Sequence, residues 1–135
     1  MGILDNRVAI ITGAGGGLGA AHARVFAAEG CAVVVNDINR EAAQKVVDEI
    51  TAAGGKAIVN TSDITNYADS ENAVKEAIAA FGDIHIVVNN AGVNRDRMFA
   101  SMTEAEWDTI MAVHLKGHFC ISSHAVHYWR DQSKA

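Results

Sequence analysis

Apolar and polar positions alternate between two periods along this chain. Mostly apolar runs at Arg7 to Thr12, Cys31 to Asn36, Lys56 to Thr61 and Ile84 to Asn89 predict four strands. The second, Cys31-Ala32-Val33-Val34-Val35-Asn36, is too uniformly apolar for a half-exposed strand and suits a buried parallel sheet. Between the strands the period lengthens to that of a helix. A first helix is predicted from about Gly17 to Glu29, with Leu18, Ala21, Val25 and Ala28 at helical spacing and Gly30 ending it. A second, from about Arg40 to Ala53, places Ala43, Val46, Val47 and Ile50 on one face and Gln44, Lys45, Asp48 and Glu49 on the other, and Gly54-Gly55 stops it. A third, from about Tyr67 to Phe81, turns Val74, Ala77, Ile78 and Phe81 inward before Gly82. Thr103-Glu104-Ala105-Glu106 is a capping box that starts a helical stretch reaching about Arg130, bent near Gly117. Strands alternating with helices imply an α/β fold, and right-handed crossovers predict a parallel sheet of order 3-2-1-4. Strand four then lies at an open edge. A buried-type strand there is a pairing liability, so further chain is expected beside it.

The turn between strand one and helix one reads Thr12-Gly13-Ala14-Gly15-Gly16-Gly17-Leu18-Gly19. In such a turn one glycine allows the tight exit from the strand, another lets the backbone approach a pyrophosphate, and the last lets the helix pack closely on the sheet. The first-turn N–H groups and the helix dipole then favour an anion. Strand before, helix after and acidic residue later are the context that a Rossmann-type, doubly wound nucleotide-binding unit requires. Asp37 is that acidic residue, eighteen positions after Gly19 and just past strand two. A carboxylate there accepts ribose hydroxyls and repels a 2′-phosphate, so NAD is expected rather than NADP, with Arg40 nearby acting in the opposite sense. An S-adenosylmethionine-binding α/β domain shares the glycine turn and the acidic end of strand two. A non-catalytic dinucleotide-binding or interaction module shares the fold. Both stay open on these residues.

Composition narrows the partners. A chain of 135 residues is one domain or part of one, and its net charge of -5 lacks the basic excess of a nucleic-acid binder. No apolar run approaches the roughly 18 residues of a membrane span, and the first residues show no charged-then-apolar leader pattern. Cys31 and Cys120, in a predicted strand and a predicted helix, read as reduced, buried thiols of a cytoplasmic protein. Among His114, His118, His124 and His127, the first two are four apart, but Leu115 stands where a zinc-protease helix carries glutamate, so no metal site is expected. Arg95, Asp96 and Arg97 read as a solvated loop.

Three segments together resemble the short-chain dehydrogenase/reductase family. Thr12 to Gly19 matches its T-G-x-x-x-G-x-G, Asn89-Asn90-Ala91-Gly92 matches its N-N-A-G, and Ser62-Asp63-Ile64-Thr65 is similar to its adenine-contacting D-[VI]-T. They occur in the family's order and spacing, and the resemblance runs from about Asn6 to Arg130. It implies that residues 1–135 are the NAD-binding half of such a domain. Gly13, Gly17, Leu18 and Gly19 would line the pyrophosphate, and Asp37 and Ile38 would surround the adenosine ribose. Asp63 and Ile64 would meet the adenine by side chain and backbone respectively. Asn90, Ala91 and Gly92 would lie beside the cofactor, with the asparagines also bracing the sheet. His114 stands where the family often has the asparagine of N-x-x-G, which helps a proton-relay water. Its two ring nitrogens also donate and accept, which makes it a candidate catalytic residue; the plainer alternative is a hydrogen bond within a kinked helix.

Val113-His114-Leu115-Lys116-Gly117 and Asn94-Arg95-Asp96-Arg97 are similar to segments of the hydroxyacyl-CoA dehydrogenase domains of multifunctional β-oxidation enzymes. The resemblance implies hydride transfer between nicotinamide and a carbonyl or secondary alcohol, an acyl-CoA among the candidate substrates, and a homo-oligomer paired through the helix that begins near His114. The family's Tyr-x-x-x-Lys finds no match, since neither Tyr67 nor Tyr128 has a lysine four residues on. The chain alone is therefore expected to bind NAD weakly and to show no turnover.

Overall fold

The computed structural model describes residues 2–134. Four parallel strands, β1 (Val8–Thr12), β2 (Ala32–Asn36), β3 (Lys56–Asn60) and β4 (Ile86–Val88), form one sheet in the order β3-β2-β1-β4. The predicted topology is the observed one. β1 is buried along its whole length, and its alternate side chains go to opposite faces as the pleat demands. Ala9 and Ile11 join Val33 and Val35 in a core covered by α1 (Gly17–Ala28) and α2 (Arg40–Ala52). Val8 and Ile10 join Val34 in a second core, covered by α3 (Tyr67–Phe81) and by Ile121 of α5 (Gly117–Ser133). The sheet is thus wound on both sides.

α2 buries Ala43, Val46, Val47 and Ile50, the stripe its spacing predicts, and Asn39 caps it by accepting the Ala42 N–H at 3.0 Å. α3 buries Val74 and Ala77 as predicted, with Ile78 and Phe81 half-buried against the same core, and it ends at Gly82 in the left-handed conformation. α1 differs. Its helical stripe of Leu18, Ala21, Val25 and Ala28 is not the buried one: Gly19, Ala20, Ala23 and Ala27 face the sheet, while Leu18 is 73% and Val25 61% exposed. Side-chain size decides this. The glycine turn brings the start of α1 so close to the sheet that glycine and alanine make its fully buried positions, with the larger Phe26 only partly buried against the same core, and hydrophobicity alone cannot rank that face.

β4 is shorter than predicted. Ile84 is fully buried but precedes the ladder, and beyond Val88 the Asn90 N–H turns to Val88 O and the Thr12 hydroxyl. The helical stretch after Thr103 divides into α4 (Glu104–Ile110), a π-helical segment (Met111–Lys116) and α5, so the bend expected near Gly117 is a wide turn that ends there. The capping box forms, with the Thr103 hydroxyl accepting the Glu106 N–H at 3.2 Å.

At the amino ends of the strands α5 is clamped to the chain entering β4. The Tyr128 hydroxyl donates to Asp83 Oδ1 at 2.9 Å, and Trp129 Nε1 donates to Ile84 O at 2.6 Å. The Ile84 N–H and the Tyr128 hydroxyl hold the Asp83 carboxyl below its ordinary range. A depressed carboxylate adds stability above its unfolded pKa and loses it as pH falls through the folded one. Tyr128→Phe is therefore expected to cost about 1 kcal/mol at neutral pH. That cost should shrink as pH falls through the folded-state range of Asp83, because the variant's smaller depression leaves less stability to lose in acid. Thermal unfolding from neutral to acid pH checks both; superimposable curves would show that the clamp contributes nothing.

Candidate functional site

The β1–α1 turn binds the loops on either side of it. Thr12 is 1% exposed, and its hydroxyl accepts the N–H groups of Asn90 and Ala91, each at 3.0 Å. The Asn90 side-chain amide returns to Thr12 O at 3.1 Å and Gly13 O at 3.3 Å. On the other side, Ala14 N–H donates to Asn36 O and Gly15 N–H to Asp37 Oδ2, both at 3.0 Å. Glycine is required here by crowding. Gly13 has φ +61° and a Cβ on it would stand 2.8 Å from Ala91 Cα, and one on Gly15 would stand 2.7 Å from Asp37 Oδ2. A Cβ on Gly19 would collide with the Gly13 carbonyl oxygen. Gly16 and Gly17 differ, since a Cβ on either meets open space. Gly16 precedes α1 with no described side chain capping it and no acidic residue in the first turn. The first-turn N–H groups are thus left facing outward at the positive end of the helix dipole.

A cleft of about 480 Å³ opens at the carboxyl ends of the strands, where the order reverses between β1 and its neighbours. Of the residues singled out in the sequence, Gly13, Asp37, Ile38, Asp63, Ile64, Asn90, Ala91 and Gly92 line it, joined by Gly16, Val93 and Val113. Gly17, Leu18 and Gly19 do not line it: Gly19 is buried beneath the turn, and the Leu18 side chain points to solvent. Asp37 presents both oxygens to backbone donors, Oδ2 to Gly15 and Oδ1 to Asn39 at 2.9 Å. Each oxygen keeps a second lone pair for a ligand hydroxyl. Asp63 Oδ1 is engaged by Thr65, through its N–H at 2.9 Å and its hydroxyl at 2.7 Å. Ile64 is buried against Gly117, where a Cβ would lie 2.9 Å from its Cδ1. Asn89 braces α5 by donating to Ser122 Oγ at 2.9 Å. His114 bonds the Val93 backbone across the chain rather than its own helix.

Sequence reasoning missed the polar floor of the cleft. Buried Asn36 donates to Asn60 Oδ1 at 2.7 Å and to Ser62 O at 3.1 Å, and Asn60 donates to Glu76 Oε2 at 2.7 Å. The available signal was the asparagine that closes each apolar strand, Val35-Asn36 and Val59-Asn60. The cysteines offer no chemistry: burial pushes the Cys31 thiol up to about 11 and raises Cys120 as well, so both stay protonated. Among the described residues no three His, Cys, Asp or Glu side chains gather as a metal site, and no helix is long and apolar enough to cross a membrane.

A parallel sheet wound on both sides, with a glycine turn beneath a cleft at its switch point, defines a Rossmann-type α/β domain. Residues 7–135 match the short chain dehydrogenase family, and the chain belongs to that family. It is 46% identical over 136 residues to hydroxyacyl-CoA dehydrogenase ChsB1 of Mycobacterium tuberculosis, covering 97% of this chain and 43% of that protein. It is 43% identical over 138 residues to the peroxisomal multifunctional enzyme type 2 of Mus musculus, covering 96% of this chain and 18% of that protein. A crystal structure of a short chain dehydrogenase from Mycobacterium avium superposes with a TM-score of 0.95 at 50% identity, over 98% of this chain and 49% of that one. The chain thus spans less than half the length of each of these relatives.

The crowding at the turn is directly testable. Gly19→Ala is expected to destabilise the fold by about 1–3 kcal/mol, because backbone and the Asn90 amide must shift. Gly16→Ala, at extended φ in open space, is expected to stay within about 0.5 kcal/mol of the parent. Urea unfolding of the two variants decides; equal effects would mean that the turn is not close-packed.

Proposed function

We propose that residues 1–135 form the NAD-binding half of a dehydrogenase domain. The observation that carries this is Asp37, fixed at the carboxyl end of β2 by the Gly15 N–H and lining the cleft beside Gly13 and Gly16. A carboxylate held there suits the two hydroxyls of an adenosine ribose. It opposes a 2′-phosphate, and Arg40 is not among the residues that line the cleft. NAD therefore fits better than NADP. Gly13, Gly16, Gly17 and Gly19 make room for the pyrophosphate against the first turn of α1, either at its edge or by letting the turn close. Asp63 and Ile64 flank the adenine, and Asn90, Ala91 and Gly92 flank the other half of the dinucleotide.

The nicotinamide, when bound, supplies hydride exchange with a carbonyl or secondary alcohol. This chain's residues hold and orient it, and the apolar wall of Ile64, Ala91 and Val113 limits water on one side. No tyrosine here is placed for proton transfer. Tyr128 is engaged with Asp83 at the opposite end of the sheet, and Tyr67 bonds Ser123 outside the cleft. Similarity to ChsB1 and the multifunctional enzymes makes a hydroxyacyl-CoA the substrate of choice for the complete protein. Exposed Leu115, Phe119 and Val126, along one side of the segment from Met111 through α5, support self-association there. Two protonated, buried thiols accord with a cytoplasmic setting.

Calorimetric titration with NAD and NADP tests the reading. NAD is expected to bind more tightly, and Asp37→Ala to weaken NAD about 10- to 100-fold, the loss of hydrogen bonds to a charged acceptor, while narrowing the preference over NADP. A preparation free of longer polypeptide should form no NADH from a hydroxyacyl-CoA. Tighter binding of NADP, or an Asp37→Ala variant that binds NAD unchanged, would contradict the assignment.

A further inference from the structure

His85 precedes the first residue of β4, at the end of the sheet opposite the cleft. Its backbone N–H donates to Val8 O at 2.9 Å, and its ring nitrogen Nδ1 accepts the Val8 N–H at 3.0 Å. The imidazole thus stands in for a backbone carbonyl just before the β1–β4 ladder, whose first pair is Ala9 with Ile86. Val8 is 4% exposed, so its N–H needs the partner that Nδ1 supplies. On the other side of the ring, Nε2 faces Asp83 Oδ2 at 3.4 Å. Accepting at Nδ1 fixes the neutral ring with its proton on Nε2, directed at that carboxylate. A second proton must go on Nδ1, where it meets the Val8 N–H, and two donors cannot bond. The charged groups around the ring decide where the cation turns. Asp83, on its own segment, is held below its ordinary range by the Ile84 N–H and the Tyr128 hydroxyl, so it stays ionised while an imidazole titrates. Arg7, ahead of β1, lines the same cavity of about 540 Å³ and repels a cation from the β1 side. α5 presents the uncharged Trp129 and Gln132 to that cavity. The His85 side chain is 25% exposed, so protons from solvent reach it.

We propose that His85 is a proton-operated catch on the seam between β1 and β4. Neutral, it holds the Val8 N–H and closes the amino end of the ladder. Protonated, it turns to Asp83 and leaves the Val8 N–H unbonded. The release stays local, because the other end of β1 is tied through the Thr12 hydroxyl to Asn90 and Ala91. Imidazole is the side chain that ordinarily changes charge between about pH 5 and 8, so the catch works in mild acid with Asp83 still charged. It does so whatever the cleft binds.

Amide hydrogen exchange, followed residue by residue on the ¹⁵N-labelled full chain from about pH 8 to about pH 5, tests the catch. The Val8 protection factor, which removes the intrinsic pH dependence of exchange, is expected to fall about tenfold as His85 protonates, the loss of one hydrogen bond. Those of Ile10 and Ile11 should change by less than about twofold. Above the titration, the ring nitrogen shifts of His85 should report a proton on Nε2 and none on Nδ1. His85→Asn offers an amide oxygen close to the place of Nδ1 and takes no proton, so Val8 should stay protected throughout. His85→Ala should leave Val8 weakly protected throughout. A Val8 protection factor that is unchanged while the ring titrates would overturn the proposal, as would a neutral ring protonated on Nδ1. The same fall in His85→Asn would assign the effect to another group and overturn it too. An equal loss at Ile10 and Ile11 would mark general acid unfolding, with no catch at Val8.

Discussion

The hydroxyl of Thr12 ties the loop after β4 to the end of β1. It sits at the buried end of β1 and accepts the Asn90 and Ala91 N–H groups, while the turn that follows is bound to Asn36 and Asp37 on the other side. A buried N–H without a partner costs about 1–3 kcal/mol, so an apolar residue of similar shape at Thr12 would strand the Ala91 donor and leave the Asn90 N–H only Val88 O. The end of β1 is therefore the common post for the segments after β2 and β4. The cleft between them exists because both are tied to that post and held apart by its width.

From this follows the division of labour between the two ends of the sheet. Among the described residues the buried polar side chains are Thr12, Asn36, Asn60, Ser62 and Ser70, and four of these five lie at or just past the carboxyl ends of strands. Buried polar groups are tolerated when each has a partner, and the Thr12, Asn36 and Asn60 side chains are linked to one another or to neighbouring backbone, including that of Ser62. The opposite end is closed by the Asp83–Tyr128 and Trp129–Ile84 contacts, which hold α5 on the sheet without forming any part of the cleft. A rigid closed end and a polar, glycine-lined open end suit a scaffold that presents backbone N–H groups and one carboxylate to a ligand.

Much of this was legible in the order of residues. The strand order, the buried stripe of α2 and the capping box at Thr103 follow from periodicity and local hydrogen-bonding chemistry, which depend on near neighbours in sequence. The inward face of α1 was not, because the closeness set by Gly19 favours Ala20, Ala23 and Ala27 over Leu18 and Val25, and that distance is a tertiary property. Asp37 announced itself by its position after β2. The His114 contact to Val93 did not, because it spans 21 residues and depends on a π-helical segment that no simple periodicity marks. The asparagine pair at Asn36 and Asn60 lay in plain view as polar ends of apolar strands, but pairing them requires knowing that β2 and β3 are adjacent and in register.

The central claim is that the cleft hung on the end of β1 takes a dinucleotide along its length. The most direct measurement is the backbone amide spectrum of the ¹⁵N-labelled chain during titration with NAD. The account predicts saturable shifts at Gly13, Gly15, Gly16, Asp37, Ile64 and Gly92, which share the cleft or its turn, and none at His85, Ile86 or Trp129 at the opposite end. Shifts confined to that opposite end, or none at saturating NAD, would contradict it.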